Sequence, residues 1–188
     1  MFNFNLVEGI IFDLDDTLVA SDLNFALIKS KIGCSSSDDI LAYIDNIVCT
    51  ETKKRAKKIV LEHELNDAAS SVWMPGAEDF VKQALARNLP LAIVTRNCRQ
   101  ATELKLQTNN IPIELVITRE DAPPKPNPEA LLMIATQWQI DTDKIAYIGD
   151  YSYDIEAAHN ASMQAWLYQR KDNEESCKYA QNLTYITK

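Results

Sequence analysis

The sequence has few of the residues that build disulfide frameworks and zinc sites. Its 188 residues include four Cys and two His, and no two cysteines have the C-x-x-C spacing. Both histidines also lie far along the chain from the cysteines, so a zinc site is not expected. Because the first residues, Met1 to Glu8, lack the features of a secretory signal, we expect reduced thiols and a cytoplasmic protein.

Long hydrophobic runs and an excess of basic charge are also missing. The longest apolar stretches, such as Leu131–Ala135, fall far short of the roughly 20 residues that cross a membrane. The chain has 19 Lys and Arg against 27 Asp and Glu, a net charge of −8, which is unfavourable for binding a phosphate backbone. The densest basic segment, residues 53–58, is acid-flanked and typical of a solvated helix face. We therefore expect neither a membrane nor a nucleic acid as partner.

Glycine is scarce, with four residues, and no flexible Gly/Ser linker or internal repeat divides the chain. What is present is an ordinary globular composition, 46% apolar, in a chain long enough to bury a core without a disulfide or structural metal. Five apolar runs are nearly continuous rather than alternating, which favours parallel strands covered on both faces. These runs are Val7–Asp13, Pro90–Thr95, Ile113–Ile117, Lys144–Gly149 and Met163–Tyr168.

Helical patterns separate the strands, and this alternation predicts βαβ units with right-handed crossovers. They cover Gly76–Asn88, Asn97–Gln107, Asn127–Trp138, Ser152–Asn160 and Asp172–Gln181. The first connection is different, because 76 residues separate Asp13 from Pro90, whereas a crossover needs only about a dozen.

The long connection predicts an inserted helical domain over residues 18–73, with residues 1–17 and 74–188 forming the core domain. Apolar periodicity predicts three helices in the insertion. The first covers Asp22–Ile32, the second starts from an N-cap at Ser37 or Asp38 and runs through Val48, and the third covers Thr50–Ala69.

A run of acids follows the first strand, as Asp13-Leu14-Asp15-Asp16-Thr17. Residues two apart in extended chain point the same way, so Asp13 and Asp15 share one side. Ligands of parallel α/β sheets bind at the carboxyl ends of the strands, where this run lies. Taken alone, the run is equally typical of an acidic, helix-capping turn.

The other strand ends carry further polar residues. Thr95 ends the second strand and is followed by Arg96 and Asn97, while the fourth strand ends in Gly149-Asp150, with Asp154 four residues on. Lys125 lies between two prolines in a stiff loop before a helix. Parallel strands bring these ends to one edge of the sheet.

Acids gathered at one edge need a counter-charge. Two carboxylates about 4 Å apart repel by about 4 kcal/mol at an effective dielectric constant near 20, so either their pKa values rise or a cation lies between them. Oxygen ligands without His or Cys favour Mg²⁺. Lys125 and the Thr95 hydroxyl add donors for a phosphoryl group, and a carboxylate is an established nucleophile in phosphoryl transfer.

In this order the motifs resemble those of the haloacid dehalogenase superfamily, specifically its phosphoglycolate-phosphatase-like branch. The matching residues are the run from Asp13 to Thr17, then Thr95, then Lys125, then Gly149-Asp150 with Asp154. The resemblance implies a Rossmann-like three-layer α/β sandwich, with a parallel sheet of order 5-4-1-2-3 and a small helical cap inserted after strand 1. Asp16 stands where many members have Gly.

The resemblance also implies roles for these residues. Asp13 is the expected nucleophile and Asp15 the expected general acid/base. Thr95 and Lys125 are expected to act in catalysis and to bind the phosphate, with Arg96 and Asn97 as further candidates for substrate binding. Mg²⁺ is expected on Asp13, the backbone carbonyl of Asp15 and Asp150, with Asp154 either as a further ligand or as a residue that supports the ligands.

The expected activity is Mg²⁺-dependent hydrolysis of a small phosphorylated metabolite through an aspartyl-phosphate. The presence of Asp15 argues against dehalogenase chemistry. Two alternatives stay open: a sugar phosphomutase that uses the same nucleophile, and a non-catalytic phosphate-binding protein on the same scaffold. The sequence is compatible with a monomer or a homodimer.

Overall fold

The computed structural model describes residues 2–168 and 181–183. Its centre is a parallel sheet with the strand order β3-β2-β1-β4-β5-β6. The strands are β1 Gly9–Phe12, β2 Leu91–Val94, β3 Leu115–Ile117, β4 Ile145–Gly149, β5 Gln164–Tyr168 and β6 Gln181–Leu183. The first five lie within their predicted ranges, and their predicted order is confirmed, with β1 between β2 and β4.

The sixth strand was not predicted. Residues 172–180 of the helix predicted over Asp172–Gln181 lie outside the described residues, and Gln181 begins β6, which pairs with β5. A strand of three residues with one apolar member, Leu183, carries no measurable periodicity. The sequence pattern therefore could not have identified β6.

Helices cover both faces of the sheet, which gives the predicted three layers. They are α4 Ala77–Leu85, α5 Arg99–Asn109, α6 Glu129–Trp138 and α7 Ser152–Asn160. Successive residues of β1 point to opposite faces. Ile10 and Phe12 pack with α4 on one side, whereas Ile11 packs with α6 and α7 on the other.

Three helices form the long connection between β1 and β2: α1 Phe25–Ile32, α2 Ile40–Asn46 and α3 Thr50–Ser70. We call residues 18–73 the insertion. Its helices share a separate apolar cluster that includes Ile28, Ile44 and Val60. Whether the insertion behaves as a separate domain stays a prediction. Within the described residues, no helix combines the length and apolar character needed to cross a membrane.

The first two helices of the insertion begin later than predicted. Asn24 caps α1, where its side chain accepts a hydrogen bond from the Leu27 amide at 2.9 Å. Asp39, rather than Ser37 or Asp38, caps α2 and accepts from the Ala42 amide at 3.0 Å. Several neighbouring residues in each segment are good N-cap residues, so the sequence does not distinguish among them.

The two ends of the insertion lie side by side. Val19 pairs antiparallel with Trp73, the Ala20 amide donates to the Val72 carbonyl at 2.8 Å, and the Met74 amide donates to the Leu18 carbonyl at 2.8 Å. The chain therefore leaves the sheet and returns to it just beyond the carboxyl end of β1.

Candidate active site

Three carboxylates converge at the carboxyl edge of the sheet. Asp13 follows β1, Asp150 follows β4 and Asp154 lies in the first turn of α7. One oxygen from each carboxylate lies within 4.8 Å of the other two. Because β1 and β4 are neighbours in register, the strand order alone brings Asp13 and Asp150 together.

Lys125 completes this group from the loop before α6. Its ammonium group donates to Asp13 Oδ1 and to Asp154 Oδ1, both at 2.6 Å, and to the Val94 carbonyl at 3.3 Å. The residue is 6% exposed, so these contacts are poorly screened by solvent. The loop thus places one positive charge between two of the three acids.

The electrostatics of the group show that one lysine does not neutralise it. Burial and the repulsion of neighbouring acids, against the opposing attraction of Lys125, raise the pKa of Asp13 to about 7. Burial, with repulsion by Asp13 and Asp154, likewise raises the pKa of Asp150 to about 8. Burial lowers the pKa of Lys125, but its two acids outweigh that effect and raise it. When all three acids are ionised, the cluster therefore has a surplus of negative charge, which either protons or a bound cation can offset.

Asp154 is held from three directions. Its Oδ1 accepts from Lys125 and from the Tyr147 hydroxyl at 2.9 Å, and its Oδ2 accepts from the Tyr151 amide at 3.1 Å. Gly149 lies directly beneath it, since a Cβ atom there would overlap the Asp154 carboxyl group. The absence of a side chain at Gly149 thus allows Asp154 to reach Lys125.

Asp15 lies beside this cluster but has separate partners. Its carboxylate accepts from Asn97 Nδ2 at 2.7 Å and forms an ion pair with Lys105 of α5. Lys105 also contacts Asp67 of α3 at 2.6 Å. Neither Lys105 nor Asp67 was predicted as a site residue. One feature of the sequence could have indicated Lys105. It follows Ala101 by four residues, so the two lie on the same face of the predicted helix.

The residues that follow β2 differ in what they contact. Thr95 is 5% exposed, and its hydroxyl accepts a hydrogen bond from the Asn97 amide at 3.1 Å. Arg96 pairs with Asp39 of α2 at 2.5 Å and lies over the Tyr153 ring. All three residues after β2 face the same cavity, while their predicted roles in substrate binding stay predictions.

The backbone conformation of Asp16 explains why Asp stands at a position where many members of the resembling family have Gly. Its φ of 53° lies in the left-handed region that glycine adopts freely and that Asp tolerates. The Asp16 amide donates to the Val19 carbonyl at 2.7 Å. This turn directs the chain away from Asp15 and into the insertion.

A cavity of about 530 Å³ separates the acidic cluster from the insertion, a volume typical of sites for small molecules. Asp13, Asp15 and Lys125 line it on the sheet side. The wall contributed by the insertion is mixed. Its apolar residues are Leu23, Phe25, Ile28, Ile40, Leu41 and Val60, and its polar or charged residues are Ser21, Lys29, Ser36, Ser37, Asp38, Asp39 and Glu64.

Known proteins with similar sequences were found in plants and bacteria. A haloacid dehalogenase-like hydrolase domain-containing protein of Arabidopsis thaliana is 25% identical over 155 residues, which are 77% of this chain and 63% of that protein. The chain thus spans less than two thirds of that relative. The phosphoglycolate phosphatase of Shigella dysenteriae is 23% identical over an alignment that covers 86% of this chain and 81% of the relative.

The fold has similar solved structures. The crystal structure of a predicted phosphoglycolate phosphatase from Haemophilus somnus superimposes on this fold with a TM-score of 0.69 at 18% identity. The superposition covers 97% of this chain and 89% of that chain. The model of the haloacid dehalogenase-like hydrolases matches residues 20–167. With that match over most of its length, and the family's motifs gathered at one sheet edge, the chain is a member of the haloacid dehalogenase-like hydrolase family.

Proposed function

We propose that this hydrolase is a Mg²⁺-dependent phosphatase that acts on a small phosphomonoester through an aspartyl-phosphate intermediate. The observation that carries the proposal is the position of Asp13, which lines the cavity, contacts the buried Lys125 and has Asp15 two residues away. A carboxylate nucleophile, a fixed cation and a second carboxyl group are the parts that this reaction requires.

The proposed reaction has two steps. An oxygen of Asp13 attacks phosphorus, the ester P–O bond breaks, and the leaving alkoxide takes a proton from Asp15. Asp15 then removes a proton from water, whose oxygen attacks phosphorus and breaks the bond to Asp13. Inorganic phosphate leaves and both carboxyl groups return to their initial state. Lys125 and Thr95 stabilise the charge on the phosphoryl oxygens during both steps.

Mg²⁺ fits the residues at this edge, because the three converging acids offer only oxygen and repel one another when they are ionised. Asp13, Asp150 and Asp154, with the backbone carbonyl of Asp15, are the groups that we expect to hold it. Mg²⁺ supplies positive charge next to the phosphoryl group when bound. Asp154 is already engaged by Lys125, Tyr147 and Tyr151, so its further role is to fix Lys125.

The insertion is proposed to be a cap domain, residues 18–73, over a core domain of residues 1–17 and 74–188. Two observations support this division: the insertion has an apolar cluster of its own, and it forms one wall of the cavity. Closing such a cap would exclude bulk water from the first step and admit one water for the second.

The proposed function is tested by screening phosphate release over a panel of phosphorylated metabolites, with and without Mg²⁺. Release that requires Mg²⁺ supports a phosphatase. Conversion of one sugar phosphate isomer into another without release would indicate a phosphomutase. Binding of phosphate esters with no turnover of any of them would contradict both activities and indicate a binding protein.

Stability is expected to depend on pH and Mg²⁺ together. The folded chain keeps protons on Asp13 and Asp150 up to about pH 7 and 8, whereas the unfolded chain loses them near the ordinary pKa of 3.8. The folded state therefore binds more protons in this window, and its stability falls as pH rises. In EDTA, we expect the Tm to be at least about 3 °C lower at pH 8 than at pH 5.5, since 1 kcal/mol corresponds to about 2–4 °C.

Mg²⁺ is expected to raise the Tm more at pH 8 than at pH 5.5, because protons compete for the same oxygens at the lower pH. Asp150→Asn is the control, since it removes one repelling acid and one proposed ligand together. It should flatten the pH dependence and weaken the response to Mg²⁺. An equal rise in Tm at both pH values would contradict a site on these carboxylates.

Gly149→Ala is expected to reduce turnover at least about tenfold, because the new Cβ displaces the Asp154 carboxyl group and loosens Lys125. Gly9→Ala is a matched control. Gly9 lies at the amino end of β1, away from the acids, and the added Cβ would lie 2.8 Å from the Trp138 ring. Both variants should lower the Tm, but only Gly149→Ala should lower the kcat of the folded protein. Similar kcat losses in both would rule out a specific role for the space above Gly149.

A further inference from the structure

Lys105 is the most buried charged side chain next to the site, and the reaction described above does not use it. It lies in α5 with a fully buried side chain (0% exposed), and its ammonium group contacts both Asp15 and Asp67. Burying an ammonium group costs several kcal/mol unless it is well paired. The two acids therefore fix the position of the Lys105 ammonium group, and that group in turn fixes the positions of their carboxylates.

Both oxygens of the Asp15 carboxylate are engaged. Oδ1 accepts from Lys105, and Oδ2 accepts from Asn97 Nδ2 at 2.7 Å. Asn97 is itself 4% exposed, and its backbone N–H donates to the Thr95 hydroxyl. Two donors on opposite oxygens fix the rotation of the carboxyl group, which a single hydrogen bond would leave free.

Asp67 fixes the ammonium group of Lys105 from the other side. It is 9% exposed and lies near the end of α3. Its carboxylate also accepts from the Asp22 amide at 2.7 Å and from the Ser21 hydroxyl at 3.0 Å. Asp67 thus links Lys105 to Ser21 and Asp22, in the segment by which the chain enters the insertion.

We propose that Lys105 is a positioning residue that, held by Asp67, orients the Asp15 carboxyl group for proton transfer to the leaving alkoxide. This inference rests on the proposed phosphatase function. Lys105 touches neither the reacting atoms nor the three converging acids, and acts only through Asp15. Its loss should therefore impair the first step in proportion to how much the leaving group needs a proton.

The chain offers a matched control. Arg119, which follows β3, forms an ion pair with Glu64 of α3, including a contact of 3.0 Å between Nη2 and Oε2. Like Lys105, it is a core cation bound to an acid of the insertion, but its hydrogen bonds and ion pairs involve Glu64, Glu120 and the Arg96 carbonyl rather than Asp15. Comparing the two sites separates an effect on Asp15 from a general loosening of the insertion.

The test compares kcat/KM for p-nitrophenyl phosphate and 2-phenylethyl phosphate in Lys105→Met and Arg119→Met. The nitrophenolate leaves without a proton, whereas the alkoxide needs one, and kcat/KM excludes the later hydrolysis of the intermediate. Lys105→Met should lose at least about tenfold more on the alkyl ester than on the aryl ester, because proton donation typically contributes 10²–10⁴-fold. Arg119→Met should lose the same factor on both.

Asp67→Asn guards against loss of folding in Lys105→Met, because it retains an oxygen acceptor for the Asp22 amide. It should show the same selectivity for the alkyl ester, to a smaller degree. Equal losses of kcat/KM on the two esters in every folded Lys105 and Asp67 variant would overturn the positioning role of Lys105 and leave the proposed phosphatase function standing. If the unaltered chain released no phosphate from either ester or from the metabolite panel, the proposed function would fail, and the inference with it.

Discussion

Asp13→Asn is expected to abolish phosphate release, with a loss of at least about a thousandfold, as is found when a nucleophile is removed from a catalytic group. The amide cannot form the covalent bond to phosphorus, while its size matches that of the carboxyl group. Folding should be preserved, because Asp13 is one of three crowded acids and its neutralisation relieves repulsion. The measurement is kcat on the best ester of the panel, together with the Tm at pH 8 in EDTA.

Asp143→Asn is the control for that substitution. It makes the same change of charge at an exposed position just before β4, at the opposite end of the strand from Asp150. Its turnover should equal that of the unaltered chain. Turnover by Asp13→Asn within tenfold of that control would refute Asp13 as the nucleophile, and a lower Tm at pH 8 would refute the crowding of the acids.

Lys125→Met is expected to have the largest effect on stability. Removing the ammonium group leaves Asp13 and Asp154 buried without their shared counter-charge, and breaking a buried pair in this way typically costs about 3–5 kcal/mol. Phosphate release should fall at least about a hundredfold as well, since a fixed donor to the phosphoryl oxygens is lost. The free energy of unfolding in urea, measured in EDTA at pH 8, gives the first quantity.

The loss of stability in Lys125→Met should be smaller at pH 5, where Asp13, with its raised pKa, is protonated and needs no partner. Lys144→Met supplies the comparison, because Lys144 pairs with Glu8 and Asp141 at the surface, where solvent screening leaves such pairs with little effect on stability. If the two Lys→Met variants lost equal stability at pH 8, the buried charge balance described here would be wrong.

The interior of the fold could be predicted because it depends on local patterns. The runs that form β1, β2 and β4 are buried on both faces, and continuous apolar character is the direct consequence of that burial. The carboxyl ends of neighbouring parallel strands necessarily meet. Asp13 and Asp150 could therefore be placed at one edge before any coordinates were known.

The boundaries of the insertion helices could be predicted only approximately. Ser37, Asp38 and Asp39 are all good N-cap residues, and the sequence does not distinguish among them. Asp39 is the cap of α2 in the structure, and the same carboxylate pairs with Arg96 after β2. Local propensity does not decide which of the three residues is the N-cap of α2. The residue that is the cap, Asp39, also makes a contact with a distant part of the chain.

What the sequence by itself determined is the strands of the parallel sheet and the acids at their carboxyl ends, because continuous apolar runs and the polar residues that follow them are local features. The strand order was implied by the family resemblance. Only the tertiary structure decided the environment of Asp15. Its partner Lys105 lies 90 positions along the chain, and Asp67, on the other side of that lysine, lies 38 positions before it. A buried charge is stable only where an opposite charge meets it in space, and no local pattern specifies that meeting.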